Sequence, residues 1–250
     1  MSRANLIRIA LIVGFVALLE LLTRLGAIDR LVLIPPSAMA AQLWTMLVSG
    51  ELDEPMARSF GNIALAFVLS VTVGFAVGLV VHALPRLRRL VDPLLASYYA
   101  VPFFVFYPLL IAIFGLNRWP LVAIGFAFGA AAMVIATLNG LDRVPRVLHK
   151  VARVHRLGRL RTIALVVLPG ALPYLFTGVK LALAYAFIGV LAGEFILSGG
   201  GLGFAIAYAY DAFDNPTMYA LMLFVVVLAI LLNAGLHLWE QRLVGRWRRA

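Results

Sequence analysis

Six apolar runs, each long enough to cross a bilayer, constrain this chain more than any other feature of its sequence. A bilayer core of about 30 Å takes around 20 helical residues to cross. The runs lie near residues 6–26, 60–84, 94–115, 119–140, 172–196 and 217–240. Only 13% of the residues are charged, whereas a soluble globular domain has about a quarter. We therefore predict an all-α integral membrane protein with six transmembrane helices.

The distribution of basic residues between these runs predicts their orientation. Residues 142–173 form the longest polar interruption, with seven cations and one acid. If the N-terminus is inside, sixteen cations lie on the cytoplasmic side and four lie outside. Because Lys and Arg near span ends are held on the cytoplasmic face, we expect an N-in, C-in topology. The same clusters explain the formal charge of +10 without a nucleic-acid partner.

Two segments on the predicted outer side contain turn signals. Residues 27–59 are expected to form a short amphipathic helix plus turns, opened by Pro35 and Pro36 and interrupted at Ser49-Gly50-Glu51. Residues 198–203, Ser-Gly-Gly-Gly-Leu-Gly, are dense enough in glycine to end the fifth helix. We expect this second segment to be re-entrant or to cap the outer mouth.

The long basic segment contains a predicted amphipathic helix between Leu141 and Leu157. Its apolar residues recur at steps of three and four, and its cations take the opposite face. The apolar set is Val144, Val147, Leu148 and Val151, and the cations are Arg143, Arg146, Lys150 and Arg153. Pro145 is acceptable in the first turn of such a helix. The periodicity alone fits both a helix that docks on a protein and a helix that lies on anionic lipid headgroups.

The spacing around this helix resembles the cytoplasmic signature loop of ATP-binding-cassette importer permeases. That loop reads Glu-Ala-Ala, three residues, Gly, nine residues, Ile-x-Leu-Pro. Here Lys150-Val151-Ala152 is followed after three residues by Arg156, and after nine more by Val166-Val167-Leu168-Pro169. Lys150 replaces the acid and Arg156 replaces the glycine. Because arginine reaches a left-handed turn only at a steric cost, we expect the turn to shift toward Gly158 and the ATPase to present an acidic groove.

Further matches extend the resemblance over nearly the whole chain, most closely to the nitrate, sulfonate, taurine and bicarbonate permease subfamily. The matching segments are Leu33-Ile34-Pro35-Pro36-Ser37, Ser49-Gly50-Glu51-Leu52, Asp92-Pro93, Val101-Pro102, Tyr107-Pro108, Phe114-Gly115-Leu116, Gly178-Val179-Lys180-Leu181-Ala182-Leu183, Glu194 and Gly200-Gly201-Leu202-Gly203. The resemblance implies the type I importer permease fold, with residues 1–250 as a single transmembrane domain. Within it, residues 27–59 would be an external segment and residues 141–171 the cytoplasmic coupling loop.

The resemblance also implies a function and a set of partners. The chain would be the permease subunit of an ATP-driven importer in a prokaryotic plasma membrane, which is the inner membrane of a Gram-negative cell. It would translocate a small solute, an anion such as a sulfonate or nitrate, delivered by an extracytoplasmic binding protein. A homodimer of permeases, embedded in membrane lipid, would engage cytoplasmic ATPase subunits. The chain has no Gly-x-x-x-x-Gly-Lys-Ser/Thr loop, so ATP and Mg would bind to those ATPases, and the chain itself would be neither an enzyme nor a holder of a cofactor.

Two groups of residues are candidate sites. The coupling-loop group is Val144, Val147, Leu148, Lys150, Val151, Ala152, Arg153, Arg156, Gly158, Leu168 and Pro169. The candidate translocation path is Tyr99, Phe103, Tyr107, Lys180 and Glu194. Within the first group, we expect the apolar members from Val144 to Ala152 to be the docking face that moves with the ATPase.

Each path candidate also has a structural explanation. The aromatic residues of the third run, which is bent by prolines, are typical of packing or lipid contact as well as of a pathway. Lys180 could attract an anion or extend to the cytoplasmic headgroups. Glu194 could line the outer mouth or cap backbone amides at the glycine turn. We expect no metal site, because the four histidines are scattered and the chain has no cysteine.

Small residues at four-residue spacing predict close contacts between helices. They are Ser70, Gly74 and Gly78 in the second run and Gly125 and Gly129 in the fourth. Such residues let two helix backbones approach closely. The sequence leaves open whether these contacts lie within one subunit or across a dimer.

Two other classes of function are alternatives. An ion-gradient-driven secondary transporter needs no ATPase, but it would place carboxylates or paired polar groups near the middle of the membrane, where this chain has almost none. An intramembrane enzyme would need clustered His, Asp or Ser residues at catalytic spacing. Neither alternative explains the signature-like loop.

Overall fold

A computed structural model describes residues 3–29, 32–197 and 199–247, and all regular structure within those ranges is helical. The helices are α1 (Arg3–Arg24), α2 (Pro36–Ser49), α3 (Asp53–Ala83), α4 (Pro85–Ser97), α5 (Tyr107–Phe114), α6 (Arg118–Asp142), α7 (Arg146–Val154), α8 (Arg159–Thr162), α9 (Leu168–Leu197), α10 (Leu202–Asp211) and α11 (Asn215–Trp247). The predicted all-α class is therefore confirmed for the described part of the chain.

Four stretches of the described chain are long and apolar enough to cross a membrane. They are Asp53–Ala83, Arg118–Asp142, Ile163–Ile196 and Asn215–Arg242. They correspond to the second, fourth, fifth and sixth predicted runs. Helix α1 covers most of the first predicted run, and a shorter apolar stretch, Phe103–Phe114, covers part of the third.

The third predicted run is not one continuous helix. Helix α4 ends at Ser97, two short 3-10 turns follow, and α5 begins only at Tyr107. Pro102 cannot donate a backbone hydrogen bond, and it forces the residue before it out of the helical region. Val101 accordingly has extended φ and ψ angles of −80° and 119°. The sequence predicts a bend here, and the structure has a break.

The chain divides into two compact units. The first comprises residues 1–58 and 195–230, and the second comprises residues 59–194 and 231–250. In the first unit, α2 begins after Pro35 and ends at Gly50, which has a φ of +78°. Glycine adopts this left-handed conformation without the steric cost of a side chain. The short helix predicted within residues 27–59 is therefore confirmed, with its ends at the proline and glycine that the sequence indicates.

The glycine-rich segment of the first unit ends one helix and starts another. Helix α9 ends at Leu197, α10 begins at Leu202, and Gly201 between them has a φ of +103°. A Cβ atom on Gly200 would lie 2.5 Å from Nη1 of Arg58. Position 201 therefore favours glycine for its backbone conformation, and the guanidinium of Arg58 lies close to Gly200.

Helices α3, α6 and α9 form the centre of the second unit, and small residues bring them together. A Cβ atom on Gly129 of α6 would lie 2.5 Å from Oγ of Ser70 on α3 and 2.9 Å from the carbonyl oxygen of Ala182 on α9. A Cβ atom on Gly78 of α3 would lie 2.7 Å from Cβ of Thr137 on α6. The predicted small-residue contacts are therefore made within this chain.

Candidate functional site

The segment that joins α6 to α9 contains the helix that the sequence predicts. Helix α7 begins at Arg146, directly after Pro145, and ends at Val154. The short α8 and a π-helical turn, Ile163–Val167, then lead into α9. Leu168 and Pro169 are the first two residues of α9. Proline is well tolerated in a first helical turn because the N–H it lacks would have no partner there.

The apolar residues of this loop divide into an exposed set and a buried set. Val147, Leu148 and Val151 are 65%, 38% and 46% exposed. Val144 and Ala152, in contrast, are 5% and 2% exposed, so they have almost no surface to offer a partner. We expected both to belong to the docking face, and the structure instead packs them inside the chain.

Val154 belongs to the exposed set, although the sequence analysis omitted it. It is 80% exposed and follows Val147 and Val151 at helical steps of four and three, so the three residues form one stripe. Lys150 and Arg153 are also exposed. A longer window of the same periodicity would have found Val154. We call Val147, Leu148, Val151 and Val154 the exposed face of α7.

The two ends of the loop are packed against each other. Leu141 and Val144, which precede α7, form a buried cluster with Ala171 of α9. A Cβ atom on Gly170 would lie 3.4 Å from Cγ2 of Val144. Arg143 adds a hydrogen bond of 3.2 Å from Nη1 to the hydroxyl oxygen of Tyr174, and its guanidinium lies 5.2 Å from the centre of that ring. The loop therefore leaves and rejoins the helices at a single packed corner.

Arg156 has the left-handed backbone conformation that glycine adopts most readily. Its φ is +51°. The amide of Arg156 donates to the carbonyl of Arg153 at 3.0 Å, and the amide of Leu157 donates to the carbonyl of Ala152 at 2.9 Å. These two bonds define a Schellman helix end with Arg156 in the left-handed position. The expected shift of the turn toward Gly158 is therefore wrong: the turn stays at Arg156.

A cluster of charged residues lies beside the start of the loop. Arg88 on α4 donates two hydrogen bonds to Asp142, the last residue of α6, from Nη1 at 2.7 Å and from Nη2 at 2.5 Å. The side chains are 28% and 38% exposed. Nδ1 of His82 lies 3.3 Å from Asp142, and Nε of Arg88 lies 3.6 Å from Asp92. The hydrogen bonds to Asp142 raise the pKa of Arg88. The sequence pattern predicts no role for this cluster.

The aromatic path candidates pack among other apolar residues in this conformation. Tyr107 is 3% exposed and forms a buried cluster with Leu121 and Ile124 of α6. The ring of Phe103 lies 5.2 Å from that of Phe128, edge to face. Tyr99 lies in the 3-10 turn Tyr98–Ala100, but its side chain is outside the described part of the structure. A role for these residues in translocation stays a prediction.

Lys180 is paired with an acid that the sequence analysis did not consider. Its Nζ atom lies 2.7 Å from Oε2 of Glu240 on α11, and the two side chains are 28% and 21% exposed. An edge-to-face contact between Phe176 and Trp239, with ring centres 5.4 Å apart, supports the same pair of helices. The positive charge of Lys180 is thus largely engaged by a carboxylate. The sequence signal for this pair was Glu240, an acid at the end of the last apolar run, which could have been matched with Lys180 in the fifth run.

Glu194 is fully buried and binds a neighbouring helix. Its Oε2 atom accepts a hydrogen bond of 2.6 Å from Oγ of Ser59, and its Oε1 atom accepts one of 3.4 Å from Nδ2 of Asn62. Its relative exposure is 0%. Neither sequence alternative included this contact, in which the carboxylate of α9 joins the first turns of α3.

A family model matches most of the chain. The model described as the binding-protein-dependent transport system inner membrane component matches residues 70–249. This range includes the whole loop between α6 and α9 and the Arg88 cluster.

Curated relatives are similar over most of their length. The taurine transport system permease protein of Escherichia coli strain K12 is 28% identical over 224 residues, 88% of this chain and 82% of the relative. A putative aliphatic sulfonates transport permease protein of Bacillus subtilis is 29% identical over 94% of this chain and 85% of its own. The nitrate import permease protein of Leptolyngbya laminosa is 28% identical over 76% of this chain and 68% of the relative.

Two solved structures have a similar fold. Both are inward-facing conformations of the MetNI methionine ABC transporter. In one, the matched chain gives a TM-score of 0.63 at 19% identity and covers 76% of this chain and 92% of its own. In the other, the TM-score is 0.57 at 24% identity, with 75% and 93% covered.

Proposed function

The chain belongs to the family of binding-protein-dependent transport system inner membrane components and is the permease subunit of an ATP-binding-cassette importer, and we propose that it carries a small oxyanion. The anion class is supported by the relatives, which are named for nitrate, taurine and aliphatic sulfonates. In the proposal, an extracytoplasmic binding protein selects the solute, and two copies of this chain form the pathway. ATP and Mg bind to separate cytoplasmic ATPase subunits.

The observation that carries the proposal is the exposed face of α7. Three valines and a leucine, 38–80% exposed, lie on a helix within a loop whose two ends pack against each other. An exposed apolar stripe on a basic helix is suited to the groove of a protein partner. We propose that each ATPase subunit binds this face and that its movement on ATP binding swings the helices between inward-open and outward-open states.

The proposal includes six spans with both termini in the cytoplasm. In this orientation the basic loop of residues 141–171 lies on the ATPase side, and the glycine-rich segment faces the binding protein. The excess of Lys and Arg on one side supports it. A chain without cysteine lets the orientation be measured with single introduced cysteines and a membrane-impermeant thiol reagent. Gly158→Cys should react only from the cytoplasmic side.

The first experiment is purification of the tagged protein from its native membrane in mild detergent, with mass spectrometry and an ATPase assay. We expect a P-loop ATPase at about one copy per permease. Val151→Glu should abolish its recovery, because a carboxylate buried in an apolar contact costs on the order of 2 kcal/mol, more than a tenfold loss of affinity. Arg161→Glu, an exposed change in the same loop but outside α7, should retain the ATPase.

Two results would contradict the proposal at different points. If the permease is recovered alone, both as wild type and as Arg153→Cys after thiol cross-linking, the ATPase partnership is wrong, and an ion-gradient-driven carrier becomes the better explanation. If the ATPase is recovered equally with wild type and Val151→Glu, the partnership stands but the assigned face is wrong. Ala152→Glu is unsuitable for this test, because Ala152 is buried and the change would disturb folding.

A further inference from the structure

The corner where the loop meets the helices is held from a third side by α4. Asp142 is the last residue of α6, and only three residues separate it from the start of α7. Leu141 and Val144, on either side of Asp142 and Arg143, are buried against Ala171. The side chain of Asp142 is thereby fixed at the base of the loop and directed to Arg88 of α4.

Helix α4 has two different kinds of contact with this corner and its neighbours. Its apolar residues Leu87, Val91 and Leu95 pack against a buried cluster, Val81, Val134 and Leu138, on α3 and α6. Apolar contacts of this kind have no preferred direction. The two parallel hydrogen bonds from Arg88 to Asp142 have a defined geometry, because the planar guanidinium fork matches both carboxylate oxygens. They therefore fix the position of α4 along its apolar contact.

We propose that Arg88 is a positioning residue for ATP-driven transport, which fastens α4 to the base of the coupling loop so that the two move as one body. The proposal rests on the proposed docking of the ATPase on α7. Movement of α7 then reaches α4 through Asp142 and Arg88. Without the pair, α4 slides on its apolar contact while the loop moves, and ATP is hydrolysed without an equal movement of the pathway.

The neighbours of the pair indicate why Arg88 rather than another arginine has this role. Arg86 and Arg89 are on the same helix, but both are exposed, and the contact recorded for Arg89 is a 3.5 Å bond to the carbonyl of Pro85 on its own helix. His82 and Asp92 approach the pair from α3 and α4 at 3.3 and 3.6 Å. They are longer, single contacts, unlike the two parallel hydrogen bonds between Arg88 and Asp142.

The test uses the complete permease–ATPase complex in lipid nanodiscs and needs no knowledge of the solute. Spin labels are placed on Gly158→Cys in the loop and on Leu90→Cys in α4, which is 71% exposed. A Cβ atom on Gly158 has no neighbour within 4 Å, so the label has room. In the wild type, addition of ATP should leave the distance between the labels unchanged. In Arg88→Gln the distance should change and its distribution should widen.

Reconstituted vesicles supply a second readout, with taurine and nitrate as the probes. Loss of a hydrogen-bonded charge should raise the ATP hydrolysed per probe molecule transported about tenfold in Arg88→Gln. Asp142→Asn should do the same, the double variant should be no worse than either single one, and Arg88→Lys should be intermediate. Arg89→Gln is the matched control and should behave as wild type.

The outcomes distinguish this proposal from the one on which it rests. If wild-type permease does not bind an ATPase, the docking proposal fails before Arg88 is tested. If the ATPase binds to Arg88→Gln as to wild type, and both the label distances and the ATP cost match those of Arg89→Gln, the positioning role is wrong. A fall in thermal stability with an unchanged ATP cost and unchanged label distances would also overturn it, because the pair would then be structural only.

Discussion

Two carboxylates hold opposite ends of α3 in contrasting ways. Near its first turns, Glu194 is fully buried and accepts hydrogen bonds from the neutral side chains of Ser59 and Asn62. Near its last turn, Asp142 is 38% exposed and is paired with Arg88 and His82. Ser59 and His82 are 23 residues apart on one helix, which corresponds to about 35 Å.

The difference concerns how much each contact contributes to the stability of the fold. A buried carboxylate that loses its partners bears the full cost of desolvation. A partly exposed ion pair is screened by water and ions, so its loss costs little stability. The Glu194 end is therefore suited to a permanent junction whose loss costs stability, whereas the Asp142 end contributes less to stability and serves through its geometry to position α4.

Glu194→Ala should produce the largest loss of stability. It removes the acceptor of two buried donors and leaves a cavity, so we expect a decrease of about 3 kcal/mol in the free energy of unfolding. The loss can be measured as a lower midpoint of thermal unfolding in detergent, followed by tryptophan fluorescence. Glu194→Gln, which still accepts from Ser59, should lose about half as much.

Glu54→Ala provides the matched control for the buried acid. Glu54 is also a glutamate paired with a neighbour, Arg58, but its side chain is 74% exposed. Such surface pairs contribute about 0.5 kcal/mol or less. If Glu194→Ala is no more destabilising than Glu54→Ala, the Glu194 end is not the permanent junction that its burial indicates.

Asp142→Asn should have a smaller effect, and one that depends on salt. The pair is partly exposed, so we expect a loss of about 1 kcal/mol or less at low ionic strength. Because the screening length falls from about 10 Å at 0.1 M salt to about 3 Å at 1 M, the difference from wild type should shrink as salt is added. Thermal unfolding at both salt concentrations measures this, and the loss in Glu194→Ala should not change.

Asp92→Asn separates the Arg88 pair from general charge effects. Its contact with Arg88 is a single one of 3.6 Å, so its removal should cost less than that of Asp142. Equal salt dependence of the Asp142 and Glu194 variants would remove the contrast between the two ends.

The features that the sequence predicted are those whose causes are local. Helix α2 begins at Pro36 and ends at Gly50 because proline and glycine act on the backbone at their own positions. Helix α7, which is nine residues long, follows from apolar residues that recur at steps of three and four. The family model and the relatives confirm the predicted kind of protein, since ordered motifs along the chain carried that resemblance.

The features that the sequence did not predict are contacts that depend on which helices are neighbours in the fold. Arg88 and Asp142 are 54 positions apart, Lys180 and Glu240 are 60 apart, and Ser59 and Glu194 are 135 apart. Periodicity identifies the apolar side of a helix but not its neighbour. For the same reason, periodicity assigned Ala152 to the docking face, although the fold buries it to 2% exposure.

Arg156 lies in the exposed loop that follows Asp142. Its replacement is expected to give the smallest change in global stability, and a gain where the other variants give a loss. Its left-handed backbone costs a residue with a side chain roughly 1–2 kcal/mol, which glycine avoids. Arg156→Gly should therefore strengthen the end of α7, offset in part by the greater freedom of glycine in the unfolded chain. Hydrogen exchange of the α7 amides should slow, while global unfolding should change little.

Two control variants determine whether the gain comes from the backbone. Arg156→Ala removes the same charge but keeps a Cβ atom, so it should not slow exchange at the amide of Leu157, which closes the helix end at 2.9 Å. Gly158→Ala should be nearly neutral, because the added methyl group has no neighbour within 4 Å and Gly158 is not left-handed. If Gly158→Ala instead loosens α7 and Arg156→Gly has no effect, the turn lies at Gly158, where the sequence alone had placed it. The end of α7 would then not be the one that the hydrogen bonds of Arg156 and Leu157 define.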